Sequence, residues 1–175
     1  GTFATAKTVL RGYRLTPKDM IASSEKLTRA TGRLAAGEID ALFMVGGYPL
    51  EAIVRLADAV PIRLLPIEGK PADGILQADA LLAASAIPVG TYAGTVETRT
   101  VGPRAQLLTS AAVDADLVFA ITKALWHPRN RMIFDSGHPE GRNVRAAHAT
   151  DGLLVPLHPG AARYYTESGK KQAGP

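Results

Sequence analysis

Phe3, Ala6, Leu10 and Tyr13 recur at helical spacing, and Val9 completes one apolar face. Thr2 reads as the N-cap of this helix, and Gly12 loosens its end. Thr16-Pro17 marks a turn, and residues 20–23 are apolar enough for a short strand. Over residues 25–36, Leu27, Ala30 and Leu34 share a face, which predicts a second helix stopped by Gly37 at C′. Residues 39–45 are almost continuously apolar, the pattern of a strand buried on both faces. Pro49 suits the first turn of a following helix, with Leu50, Ile53, Val54 and Ala57 inward. Pro61 separates that helix from a strand over residues 62–67. Alternating helix and strand predicts an α/β fold with doubly wound, mainly parallel sheets.

Beyond that point the pattern is Ala- and Leu-rich over residues 73–86, which predicts a helix. Residues 87–94 carry two glycines and a proline, so they read as a loop, a hinge or a bent strand. A strand is expected around residues 106–109. Asp114 caps a helix that turns Leu117, Val118, Ile121 and Leu125 inward, with Trp126-His127-Pro128 near its end. A further helix is expected over residues 142–148. The last ordered part spans residues 156–165, and residues 169–175 read as a frayed, linker-like tail. No internal repeat of fixed period is visible.

The 175 residues suffice for one large domain or two small lobes, and 46% hydrophobic against 21% charged is ordinary for a globular chain. The net charge is +4, yet the 20 Lys and Arg are scattered. Their densest stretch, Arg129 through Arg131, Arg142 and Arg145, is broken by acids, Pro and Gly, with few aromatics between. It reads as a solvated basic face, not a nucleic-acid surface. The absence of cysteine excludes disulfides, thiolate metal sites and Cys nucleophiles. No apolar stretch is long enough to span a membrane. No signal peptide is present, and a mature or truncated chain would have lost one.

Two segments place open backbone and a hydroxyl at a helix N-terminus, where unpaired amides and the helix dipole suit an anion such as a carboxylate. One is Gly1-Thr2, which is equally an ordinary N-cap. The other is Gly46-Gly47-Tyr48-Pro49, at the C-terminal end of the expected strand 39–45, where open α/β sheets bind ligands. The alternative there is a tight strand–helix turn. Tyr48 offers an aromatic wall with a hydroxyl. Tyr92, flanked by glycines, either donates to a ligand or packs; Ser23 and Ser24 are weaker candidates of the same kind.

No catalytic, metal or cofactor site is expected. His127, His138, His148 and His158 lack metal-ligand spacing, and His158 between Leu157 and Pro159 suits a structural turn. Asp40 reads as bonding a loop amide. There is no Gly-x-Ser-x-Gly elbow, no P-loop and no strand-borne Gly-x-Gly-x-x-Gly. The chain is therefore read as holding a small acid without transforming it.

Several segments in register resemble one family: Gly1-Thr2 before a helix, Gly37 to Phe43, Gly46 to Pro49, Ile87 to Tyr92, Pro156 to Ala161, Tyr164-Tyr165 and Glu167. Together they are similar to the TAXI family of TRAP-transporter solute-binding proteins over nearly the whole chain. The resemblance implies a type II periplasmic-binding-protein-like fold of two α/β lobes around a ligand cleft. It implies an extracytoplasmic, periplasmic receptor, a monomer, that delivers a small organic acid or a glutamate-like amino acid to a TRAP-type membrane permease. It further implies that residues 1–96 form the second lobe and residues 97–175 the crossover and the C-terminal part of an incomplete first lobe. Complete members open their helix with Gly-Ser-Gly-Thr, of which this chain retains Gly1-Thr2. The rival readings are an enzyme on the same bilobal fold and the ligand-sensing domain of a larger receptor.

Overall fold

A computed structural model describes residues 1–169. The chain is mixed α/β, mostly helical, and divides into two compact units, the first Gly1–Pro103 and the second beginning at Arg104. The boundary falls after Pro103 because the strand ending there pairs inside the first unit.

The first unit contains α1 (Thr2–Gly12), α2 (Leu27–Ala35), α3 (Glu51–Ala59), α4 (Gly69–Ala78), β1 (Leu82–Ile87) and β2 (Thr98–Pro103). It buries two clusters. In one, Val9 of α1 meets Ala72 and Ile75 of α4, Leu82 of β1 and Val101 of β2. Gly12 serves close approach there: a Cβ on it would lie 2.6 Å from the Ile75 side chain. In the other, Ile53 and Ala57 of α3 surround Tyr92, with Leu27, Leu42, Tyr48, Ile62 and Leu64 packed against them. The α2 helix ends as its sequence predicts: Gly37 adopts φ +72°, and the Glu38 amide bonds back to the Arg33 carbonyl at 2.9 Å.

The sheet corrects the expectation. Among the described residues it is two antiparallel strands, β1 and β2, in register from Leu82↔Pro103 to Ile87↔Thr98, and not a parallel doubly wound sheet. Segments 20–23, 39–45 and 62–67 form no strand. Leu42, Ile62 and Leu64 pack on the α3 cluster, while Phe43, Met44 and Leu65 stay exposed. An apolar run specifies burial of its side chains; it does not supply a backbone partner. The 62–67 segment meets β2 only at its end, where the Ile67 amide donates to the Arg99 carbonyl at 3.0 Å.

The helix expected over 73–86 stops at Ala78. The Asp79 carboxylate accepts from the Leu81 amide at 3.0 Å, and the chain then turns into β1. The strand expected around 106–109 is absent; its neighbour 98–103 pairs instead, and Leu107 and Leu108 are exposed.

The second unit holds α5 (Ala115–Leu125), α6 (Arg131–Gly137) and α7 (Pro159–Glu167), with short 3-10 turns between them. Asp114 caps α5 as predicted, accepting from the Leu117 amide at 2.9 Å. The inward face is narrower than expected: Val118 and Thr122 are buried, whereas Leu117 and Ile121 are exposed. Asp114→Ala should lower the stability of this unit by about 1 kcal/mol. Urea unfolding followed through Trp126, the one tryptophan of the chain, would measure it.

Residues 142–148 form no α-helix but the 3-10 turns Pro139–Asn143 and Ala146–His148. Arg131 ties this stretch to α6. Its guanidinium pairs with Asp135 and donates to the Gly141 carbonyl at 2.9 Å and the Val144 carbonyl at 2.5 Å. The bond from Arg131 holds the Asp135 carboxyl below the usual carboxylate range. Helix α7 lies against α5, and Trp126 Nε1 donates to the Tyr165 hydroxyl at 2.9 Å. Burial pushes the Tyr165 phenol up, and the bond from Trp126 opposes that. The part of the expected tail over residues 170–175 lies outside the described residues.

Candidate functional site

Residues 46–49 lead into the N-terminus of α3. Pro49 is not in the helix: it follows a cis Tyr48-Pro49 bond, Leu50 is the N-cap, and the helix begins at Glu51. Pro49 therefore shapes the approach to the helix and does not form its first turn. Leu50 offers no side-chain cap. The Ile53 and Val54 amides bond the Leu50 carbonyl at 2.9 and 3.0 Å. The Glu51 and Ala52 amides thus sit at the positions for which a helix has no internal acceptor, at the positive end of its dipole. Glu51 places a carboxylate in this first turn, where it pairs with Arg55 one turn on.

The glycines allow a tight fold-back: a Cβ on Gly46 would lie 3.1 Å from the Leu50 side chain. Gly47 is exposed. Tyr48 is half-buried, its ring against the α3 cluster.

Tyr92 is buried, at 4% exposure, and its hydroxyl accepts from the Leu50 amide at 3.1 Å. Of the two sequence readings for Tyr92, packing is what the geometry displays. The ring fills the α3 cluster and the hydroxyl fixes the residue where α3 starts. Tyr48 and Tyr92 therefore share one cluster around one helix N-terminus. Nothing in the spacing of Leu50 and Tyr92 signals their bond; the fold alone brings them together.

Gly1 and Thr2 lie elsewhere in the first unit, on α1, which packs on α4. Gly1 is the N-cap and Thr2 the first helical residue, so the expected Thr2 cap is shifted by one position. The Gly1 carbonyl accepts from the Ala4 and Thr5 amides at 3.0 and 3.3 Å. Ser23 donates to Glu25 at 3.3 Å, and Ser24 and Asp40 are exposed.

The histidines all fall in the second unit; besides its local bond, His158 reaches the Val113 carbonyl beside the start of α5 through Nε2, at 3.0 Å. His127, His138 and His158 each cap the turn that follows, and His148 bonds Asp151 at 3.0 Å. Among the described residues no three His, Asp or Glu side chains gather as a metal would require. Nor is any helix among them long and apolar enough to cross a membrane.

The model of the NMT1-like family matches residues 1–169, which takes in both the Gly46–Pro49 approach to α3 and the α5–α7 pair. NMT1-like families are periplasmic-binding-protein-like, related to the TAXI proteins, mostly binding proteins and typically periplasmic. With a match over that span, the chain belongs to the NMT1-like family.

Proposed function

We propose that this chain acts as an extracytoplasmic solute-binding receptor, not an enzyme, on a two-lobed type II binding-protein fold. The ligand is a small carboxylate, a glutamate-like amino acid or a related organic acid. The receptor works as a monomer and hands its ligand to a TRAP-type membrane permease. The observation that carries the reading is the NMT1-like match across residues 1–169, joined to a glycine-led, uncapped helix N-terminus at α3. In this reading the amides of Glu51 and Ala52 hold the ligand carboxylate. Gly46 and Gly47 let backbone come close, Tyr48 and Pro49 wall the site, and Tyr92 holds the start of α3 in place. Gly1 and Thr2 offer a second anion-binding helix end on α1.

A thermal-shift screen against glutamate, glutamine, 2-oxoglutarate and succinate tests it. A saturable rise in Tm with one acid is expected, because a ligand specific to the native state stabilises it. Tyr48→Ala should weaken that acid about tenfold, some 1.4 kcal/mol, while the unliganded Tm moves little. A chain that no carboxylate stabilises, or a Tyr48→Ala variant that binds as the parent does, rejects the assignment.

A further inference from the structure

Residues 128–146 carry four arginines, Arg129, Arg131, Arg142 and Arg145, against two acids, Asp135 and Glu140. Helix α6 gathers most of this charge. Arg131 pairs with Asp135 and lies over the Phe134 ring at 5.8 Å, and Arg145 reaches the same carboxylate at 3.8 Å. The bond from Arg131 does most to hold the Asp135 carboxyl low, and Arg145 and Arg142 add to it. Glu140 accepts from Asn143 Nδ2 at 2.8 Å. Three guanidiniums thus share one carboxylate, and this surface keeps an excess of positive charge.

The same short helix exposes apolar side chains. Met132 and Ile133 directly follow Arg131 and are 77% and 66% exposed. Beside them runs an open groove of about 340 Å³, lined mainly by Ile121 and Leu125 of α5 and by Ile133 and Phe134 of α6. A large exposed apolar patch rimmed by charge marks a surface that meets a partner. A helical protein partner seated in the groove would not cover Met132, which stands outside its lining. An anionic bilayer covers groove edge and Met132 together. Apolar side chains enter the acyl boundary, and guanidiniums pair with phosphates at the level of the headgroups.

We propose that α6 is a wedge for an anionic lipid surface: Met132 and Ile133 enter the acyl boundary while Arg129, Arg142 and Arg145 lie against the lipid phosphates. Neither part suffices alone. The arginines draw the chain to negative headgroups, and salt screens that attraction. The apolar pair supplies the burial that keeps it there. Leu107 and Leu108 form a comparable exposed pair in the same unit. No charged residue lies between residues 105 and 113, so that pair lacks the cationic rim and does not bind such a surface.

The test sediments the full chain with vesicles of phosphatidylcholine alone and of phosphatidylcholine mixed with phosphatidylglycerol. The parent should bind the mixed vesicles only, and less as salt rises. Met132→Ser with Ile133→Ser should lower the partition by about tenfold or more, the effect of one buried apolar side chain. Arg142→Gln and Arg145→Gln should each lower it about fivefold. Leu107→Ser with Leu108→Ser should bind as the parent does. A chain that leaves the mixed vesicles unbound overturns the proposal and returns the face to a protein partner. A Met132, Ile133 double variant that binds as the parent does also overturns it, because adsorption by charge alone needs no wedge. An equal loss from the Leu107, Leu108 pair overturns it too. Should a variant lose its helices by circular dichroism, hydrogen exchange of the parent decides. Mixed vesicles should slow exchange across Arg131–Gly137, and unchanged exchange there refutes the wedge.

Discussion

Alanine at Gly160 is expected to cost the second unit about 3 kcal/mol, the upper end of what overpacking does to a closed contact. The added Cβ would stand 2.1 Å from the Ala115 carbonyl oxygen and 2.8 Å from the Phe119 nitrogen. Both are backbone atoms of α5, so no side-chain rotation relieves the clash. The helices have to separate, and the Trp126–Tyr165 bond and the His158 bridge between them are lost together. Urea unfolding followed by Trp126 fluorescence should show the transition moved to lower denaturant. Gly32→Ala is the control: nothing lies within 4 Å of its Cβ position, and its stability should hold or rise slightly. A Gly160→Ala chain as stable as the parent would mean that α5 and α7 do not approach as described.

Tyr92→Ala is the second large effect, about 4 kcal/mol, because it empties the aromatic centre of the α3 cluster. Tyr92→Phe separates the ring from the hydroxyl. It keeps the packing but leaves the Leu50 amide without its acceptor, which costs about 1 kcal/mol. Thermal unfolding by circular dichroism reads both, and hydrogen exchange at the Leu50 amide should quicken in the phenylalanine variant. Tyr48→Ala should behave differently, losing ligand and little stability, since its ring is only half-buried. If Tyr92→Phe exchanges at Leu50 as slowly as the parent, the hydroxyl does not hold that amide.

The helices were the most legible part of the chain. Their starts and stops are local chemistry: Asp114 caps α5 through an amide three residues on, and Gly37 ends α2 with a positive φ. The apolar spacing of Ile53 and Ala57 marks the buried face of α3 in the sequence and in the fold. The 39–45 run shows where that legibility ends. Its apolar residues announce burial, and Leu42 is packed on α3, but a strand also needs a neighbour for its backbone. Residues 82–87 make the opposite case. Their Ala- and Leu-rich composition favours a helix, and pairing with Thr98–Pro103 overrides it. The candidate site divides the same way. Gly46, Gly47, Tyr48 and Pro49 stand out as a turn into a helix, whereas the bond from Leu50 to Tyr92 joins residues far apart in sequence.

By itself, then, the sequence determined the presence of α1, α2, α3 and α5, the Asp114 cap and the Gly37 stop, the absence of cysteine chemistry and the family to which the chain belongs. These follow from side chains acting on backbone within a turn or two, and from motifs held in register. The tertiary structure alone decided which extended segments became strands. It also decided that Tyr92 anchors α3, that Gly160 is the contact of α5 with α7, and that His158 bridges their starts. Each of these depends on a partner brought near by packing, and neither hydrophobic periodicity nor local propensity encodes which partner that is.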